Sequence, residues 1–198
     1  MGLTFDYITN QDILTEEDQD GLLIPSISTL EELKEFEHLN IEKAVEWSLK
    51  RRFNLKTVFS EDFIKTLHKK MFSDVWKWAG TFRTTNTGSG VDKLEIHTEL
   101  RSLIEDTLHW IINKTYDPDE IALRFQSRLV SIHCFPSGNS RHSRLIADII
   151  ITHIFKKPVF SWGRNLTADN KIIREKYAQA QQEAGHGDFS LLIEFARS

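Results

Sequence analysis

From Leu30 onward, apolar side chains recur at three- and four-residue steps, the repeat of helices with one buried face. In LEELKEFEHLNIEKAVEWSLKRR, Leu30, Leu33, Phe36 and Ile41 stand near helical spacing with charges between them. Thr29, with Glu32 three residues later, predicts a capping box at the start of this helix. Ser60 followed by Glu61 and Asp62 opens another helix, with acidic side chains in the first turn where they suit the dipole. Phe63, Leu67, Met71 and Phe72 give its apolar stripe, and the pattern predicts its end near Trp78-Ala79-Gly80, with Gly80 as the cap.

Residues 81–97, TFRTTNTGSGVDKLEIH, change character: Thr, Asn and Gly dominate, which predicts an extended loop or short hairpin. Helical spacing resumes from Thr98 to Lys114, with Leu100, Leu103, Ile104, Leu108 and Ile111 inward. Pro118 starts a further helix through Ile121, Phe125, Leu129 and Ile132. Others follow from about Ser140 to Phe155, from Thr167 to Glu183 and from Phe189 to Phe195, while residues 1–25 read as a polar arm with a short helical piece. The expectation is an all-α fold with one small β-like excursion.

Composition narrows this picture only a little. The 198 residues, 40% hydrophobic and 27% charged, suit one folded domain. A formal charge of -4 argues against a general nucleic-acid binder, which usually carries a basic excess. Cys134 is the single cysteine, so no intrachain disulfide can form. The start carries no basic stretch followed by an apolar one, and Asp6 does not fit a myristoylation signal. The longest apolar window, Leu145 to Phe155, is interrupted by Asp148 and His153 and is too short to span a bilayer. The expectation is a cytoplasmic protein without a membrane partner.

The chemistry gathers in His133-Cys-Phe-Pro-Ser-Gly-Asn-Ser-Arg-His-Ser-Arg144, between two apolar helices. Pro136 and Gly138 force a sharp turn, and Asn139 or Ser140 can cap the next helix. Free backbone N–H groups at a helix N-terminus make an anion site. Arg141 and Arg144, three apart, share one helical face and suit a polyphosphate. His133, at the end of the preceding helix, is placed as a general base. Together they imply transfer of a phosphorus-containing group to a hydroxyl. Taken alone, the residues fit a plain helix–loop–helix corner better, with Gly138 ending a turn, Asn139 capping, the arginines paired to surface carboxylates and His133 a core histidine.

This segment resembles the Fic motif, His-x-Phe-x-(Asp/Glu)-Gly-Asn-(Gly/Lys)-Arg-x-x-Arg, at His133, Phe135, Gly138, Asn139, Arg141 and Arg144. The run LHKKMFSDVWKWAGTFR, Leu67 to Arg83, also looks like the Fic (Fido) approach to its flap. The resemblance covers roughly residues 55–198, with 1–54 as an N-terminal arm and helix, and the whole chain looks like the subgroup called mobile mystery protein B. It implies a Fic-type helical bundle with a small β-hairpin flap, and protein adenylyltransferase (AMPylation) activity with ATP as substrate. His133 would deprotonate a Ser, Thr or Tyr hydroxyl of a protein target, whose oxygen displaces pyrophosphate from the α-phosphorus. Gly138, Asn139 and Ser140 would cradle phosphates, Arg141 and Arg144 would hold the phosphate tail, and Phe135 would fix the loop. Arg83, Thr84, Thr85 and Asn86 would belong to the flap that aligns the target as an added strand. The subgroup also implies a companion, mobile mystery protein A, and hence an alternative: a catalytically silent Fic-fold protein acting by binding in a toxin–antitoxin-like pair.

Two positions depart from the pattern. Ser137 stands where the family has Asp or Glu to hold Mg²⁺, and a neutral hydroxyl is a weak substitute as a metal ligand. Ser140 replaces a usual glycine; if its φ must be positive the cost is roughly 1–2 kcal/mol, and if it is helical the cost is small. Many members also carry an inhibitory (Ser/Thr)-x-x-x-Glu-(Gly/Asn) helix. Ser28 to Glu32 matches except at Leu33, and Glu37 is another candidate, but both glutamates read most simply as a solvated helix face. His133, Cys134, His142 and His153 fit no common zinc spacing, the tryptophans at 76, 78, 110 and 162 read as core or interface aromatics, and Lys50-Arg51-Arg52 as a solvated helix end.

Overall fold

The computed structural model describes residues 20–166 and 169–198. The helices among them are α1 (Leu30–Leu49), α2 (Leu55–Val58), α3 (Glu61–Phe72), α4 (Ile96–Asn113), α5 (Pro118–Ile132), α6 (Asn139–Ile149), α7 (Asn170–Gly185) and α8 (Ser190–Arg197), with α6 running on into a π turn, Ile150–Ile154. Among the described residues there is no strand, and the one isolated bridge joins Leu22 and Trp76. Nor is any helix there long and apolar enough to cross a membrane. The expected arm falls mostly on residues 1–19, and the expected start of α7 on Thr167; both lie outside the described residues.

Local chemistry accounts for most helix ends. Thr29 and Glu32 form the reciprocal capping box, Oγ1 accepting from the Glu32 N–H at 3.2 Å and the Glu32 carboxylate accepting from the Thr29 N–H at 3.1 Å. The Ser60 hydroxyl accepts from the Phe63 N–H at the start of α3, and Pro118 stands at the start of α5. The helix from Ser60 ends at Phe72 rather than near Gly80. There Asn40 of α1 accepts from the Asp74 N–H at 2.8 Å, and Trp76 turns inward to donate to Glu37 at 2.5 Å. Tertiary partners thus take the chain away from α3 through a series of turns that finishes at Gly80.

Helices α1 and α3 pack together, α4 lies on α5, α7 on α8, and α5 and α6 pair at the centre. Every residue from Arg141 to Ile150 is buried, including Arg141, His142, Ser143, Arg144 and Asp148. A helix enclosed on all sides normally carries apolar residues only. Five polar or charged groups there require partners that satisfy them.

The expected β-hairpin flap is not formed: residues 84–95 fold as bends and turns. The groups that would pair two strands are engaged elsewhere. The Arg83 guanidinium takes the carbonyls of Thr85 and Val91. Asn86 Oδ1 accepts from the Lys93 N–H and Asp92 Oδ1 from the Leu94 N–H, at 2.8 and 2.9 Å.

Candidate active site

Helix α5 ends on His133, whose backbone is left-handed (φ 56, ψ 59), uncommon for a residue with a side chain and recurrent at functional sites. The chain then turns through Cys134 to Ser137 and enters α6 from Gly138, itself left-handed at φ 76. A side chain at Gly138 would strike the Phe72 ring, with Cβ 2.5 Å from it, so close packing as well as conformation demands glycine. Asn139 ties the loop from within: Oδ1 accepts from the Phe135 N–H at 2.9 Å, and Nδ2 donates to the Phe135 carbonyl at 2.8 Å. With its side chain so used, Asn139 does not cap α6, and no side chain does. The first helical backbone bond there runs from the His142 N–H to the Gly138 carbonyl, so among the described residues the Asn139 and Ser140 N–H groups keep the orphan status that makes a helix start an anion site.

Ser140 lies within α6 and is absent from the residues of positive φ, so the loop does not require glycine at this position. Its hydroxyl is shielded from solvent and has no hydrogen-bond partner among the described residues. An anion at the start of α6 would supply one.

Phe135 sits on a buried imidazole. The His68 ring stacks on it at 3.7 Å and 13°, and His142 meets both rings edge-on. His142 Nε2 donates to the Ile64 carbonyl at 2.9 Å, and burial pushes its pKa down to about 4. Burial first, then the neighbouring charges of His142 and Arg141, push His68 well below the ordinary histidine value. Both rings are therefore neutral props beneath the loop. His133 is half-buried; burial and then the nearby Arg83 charge lower its pKa from 6.5, so at neutral pH it is the free base.

The two motif arginines have different surroundings. Arg141 forms a buried ion pair with Glu37, Nη1 to carboxylate at 2.6 Å, and lies over the Phe72 ring at 4.9 Å. Glu37 is only 1% exposed, so the solvated face expected of α1 does not hold there, although it does at the exposed Glu32. Burying an ionised carboxylate is costly unless it is paired, and this one has both the guanidinium and the Trp76 indole. Arg144, 1% exposed, lies over Tyr177 at 5.3 Å, and its charge acts on Asp148 one turn further along α6. Burial drives the Asp148 carboxyl up to about 7 against the Trp162 indole hydrogen bond and Arg144. The carboxylate that Arg141 pairs with is the buried Glu37 and not a surface one, unlike the pairing a plain helical corner would have.

Arg83 is buried and clasps the flap to the end of α5. It donates to the His133 carbonyl at 2.6 Å, to the Ile132 and Thr85 carbonyls, and to Val91. A guanidinium on the last carbonyls of a helix is favoured by the dipole. Gly90 closes the flap over the base, its would-be Cβ 2.6 Å from His133 Cβ. Thr84, Thr85 and Asn86 are exposed.

Mg²⁺ needs oxygen ligands of strong charge. Ser137 offers a neutral hydroxyl, the buried Glu37 carboxylate is held by Arg141, and no cluster of His, Cys, Asp or Glu among the described residues could hold a metal. The donor set therefore does not fit a protein-bound Mg²⁺.

The Fic/DOC family model matches residues 58–151, which hold the flap, His133 and both motif arginines. A protein adenylyltransferase of Bartonella schoenbuchensis, VbhT, is 27% identical over 100 residues, covering 47% of this chain and 21% of that protein. The chain thus spans about a fifth of the length of this curated relative. BepC of Bartonella tribocorum, solved with bound AMPPNP, superposes with a TM-score of 0.68 at 15% identity, over 100% of this chain and 97% of that one. The N-terminal Fic domain of a Bartonella quintana effector, solved with bound ADP, gives 0.66 at 17% identity, over 87% and 86%. Fic-1 of C. elegans (an E274G variant) gives 0.63 at 19% identity, over 88% of this chain and 50% of that one. These structures establish a shared helical fold.

Proposed function

We propose that this chain transfers AMP from ATP to a hydroxyl of a protein target. The observation that carries the reading is the left-handed His133, a neutral base, set beside the uncapped start of α6 with its unpartnered Ser140 hydroxyl. His133 accepts the proton of a Ser, Thr or Tyr hydroxyl. The oxygen attacks the α-phosphorus, the bond to the bridging oxygen breaks, and pyrophosphate leaves. The N–H groups from Gly138 to Arg141 face the phosphates, with Arg144 toward their tail. Thr84, Thr85 and Asn86 present backbone and side chains to the target along the exposed flap. Bound nucleotide in two Fic-fold neighbours and the adenylyltransferase activity in the name of VbhT support ATP as substrate. Residues 55–198 would form the transferring domain, working in the cytoplasm and without direct nucleic-acid contact.

Two observations favour a second reading, a Fic-fold protein that acts by binding. Ser137 lacks the metal-holding carboxylate, and Glu37 occupies Arg141. In that case the mobile mystery protein B resemblance suggests a protein A-like companion and a toxin–antitoxin-like pair. Labelling of a lysate with α-³²P-ATP separates the two. The transfer reading expects weak label from the wild type, more from Ser137→Glu/Ser140→Gly, and a loss of about 10²–10⁴-fold in His133→Ala. A double variant that binds ATP and labels nothing would bring the transfer reading down.

A further inference from the structure

We propose that His68 is a positioning residue that sets the orientation of the Ser137–Gly138 peptide and so aims the Gly138 N–H at the bound phosphates. The inference rests on the AMP-transfer reading for its ligand, and on the loop geometry for everything else.

His68 is wholly buried on α3, one turn before Phe72. Its ring has two partners on two different segments. The Gly80 N–H donates to Nδ1 at 3.0 Å. Nδ1 must therefore carry a lone pair, which places the proton on Nε2, and Nε2 donates to the Ser137 carbonyl at 3.1 Å. One neutral tautomer satisfies both contacts, and the stack on Phe135 fixes the ring plane.

A trans peptide points its C=O and N–H in opposite directions, and the described chain has no cis peptide. With the Ser137 carbonyl held toward α3, the Gly138 N–H faces away from His68, on the side of the α6 start. Among the described residues none accepts from it. Gly138, at φ 76 and ψ 3, has the geometry of the third residue of a type II turn. Type I and type II turns differ by a flip of this central peptide. Flipped, the Gly138 N–H would point into the apolar packing of Phe72 and Phe135, and the carbonyl would face the phosphates. His68 selects between the two. Because Gly80 precedes the flap, the same ring ties the flap's root to the phosphate loop.

Substitutions divide the two contacts. A glutamine at 68 places an amide N–H near the position of Nε2 and keeps the Ser137 bond. An asparagine places its oxygen near Nδ1 and keeps only the Gly80 bond. A phenylalanine keeps the stack and loses both. Calorimetric titration of the full chain with ATP, alongside thermal unfolding, should show His68→Gln within about twofold of wild type, and His68→Asn and His68→Phe weaker by about tenfold. Equal affinities for the Gln and Asn variants, or affinities that merely follow stability, overturn the proposal. A crystal structure of His68→Asn decides it independently of nucleotide. A flipped Ser137–Gly138 peptide is expected, and an unflipped one in both the Asn and Phe variants refutes it. A wild type that binds no ATP counts against the transfer reading, and the peptide orientation still decides the role of His68.

Discussion

Two irregular segments meet at the end of α5, and they are built in opposite ways. The loop from His133 to Ser140 rests on buried rings (Phe72, His68, His142), is tied internally by Asn139, and leads into a helix whose polar groups are enclosed. The flap, residues 84–95, is mostly exposed and depends on one buried side chain, Arg83, with a few local Asn and Asp contacts. Local stability follows buried contacts. The loop side is therefore fixed in advance, which favours a ligand of constant shape such as a triphosphate. The flap side can adapt, which suits a partner that supplies its own backbone.

The largest test of this contrast is Glu37. Removing one partner of a buried ion pair typically costs about 3–5 kcal/mol because a charge is left uncompensated, and Glu37 is a buried ion-pair partner of Arg141. Glu37→Gln should lower the thermal midpoint of the free chain markedly, and ATP should restore more of it than in the wild type, since the Glu37 carboxylate no longer competes with phosphate for Arg141. Calorimetry should show tighter ATP binding in the variant. If stability falls and ATP affinity does not rise, Glu37 is a structural prop of α1 and not a competitor at the phosphate site.

A pair of glycines sharpens the comparison at smaller cost. At Gly138 an alanine meets a φ of +76, which costs roughly 1–2 kcal/mol for an L-residue, and its Cβ would stand 2.5 Å from the Phe72 ring. At Gly88, in the flap, an added Cβ meets nothing within 4 Å. Gly138→Ala should lose ATP binding and several degrees of thermal stability, while Gly88→Ala should leave both within error. Equal effects at the two positions would mean that the loop is no more fixed than the flap.

The part of this site that was legible in the sequence is the part that is local in the chain. His133, Gly138, Arg141 and Arg144 fall within twelve consecutive residues, and helical spacing alone puts the two arginines on one face. Glu37 and His68 reach the loop from 104 and 69 residues away, a distance that no periodicity encodes. Glu37 shows the limit well: among the charged residues of α1 it looks like a solvent-facing position, and only the packing of α1 on α3 buries it. The hairpin expected over residues 81–97 failed for a related reason. Thr, Asn and Gly signal a turn region correctly, but strand pairing needs free carbonyls, and Arg83 takes two of them. At Ser140 the sequence allowed two backbone states, and the observed start of α6 at Asn139 selects the helical one.

The smallest expected effect concerns pH, and it too separates loop from flap. His142 ionises at about 4 in the folded chain and near 6.5 when unfolded, and His68 is shifted in the same direction. As pH falls below 6.5 the unfolded chain takes up these protons first, so stability declines from there toward pH 4. Asp148 acts in the opposite sense: its folded value of about 7 lies above its unfolded 3.8, so the folded chain holds that proton more tightly and stability rises as pH falls through this window. The two effects overlap and partly cancel in the wild type. Asp148→Asn removes the opposing one, and its thermal midpoint should fall more steeply between pH 6.5 and 4 than that of the wild type. In the flap the Asp92 carboxylate is held below its ordinary value, first by the Leu94 N–H, so its contacts weaken only at lower pH than the His142 transition. Hydrogen exchange should therefore show protection lost at the His133–Ser140 loop near pH 5 while the Lys93 and Leu94 amides keep theirs; loss at both together would mean that the two segments open as one unit.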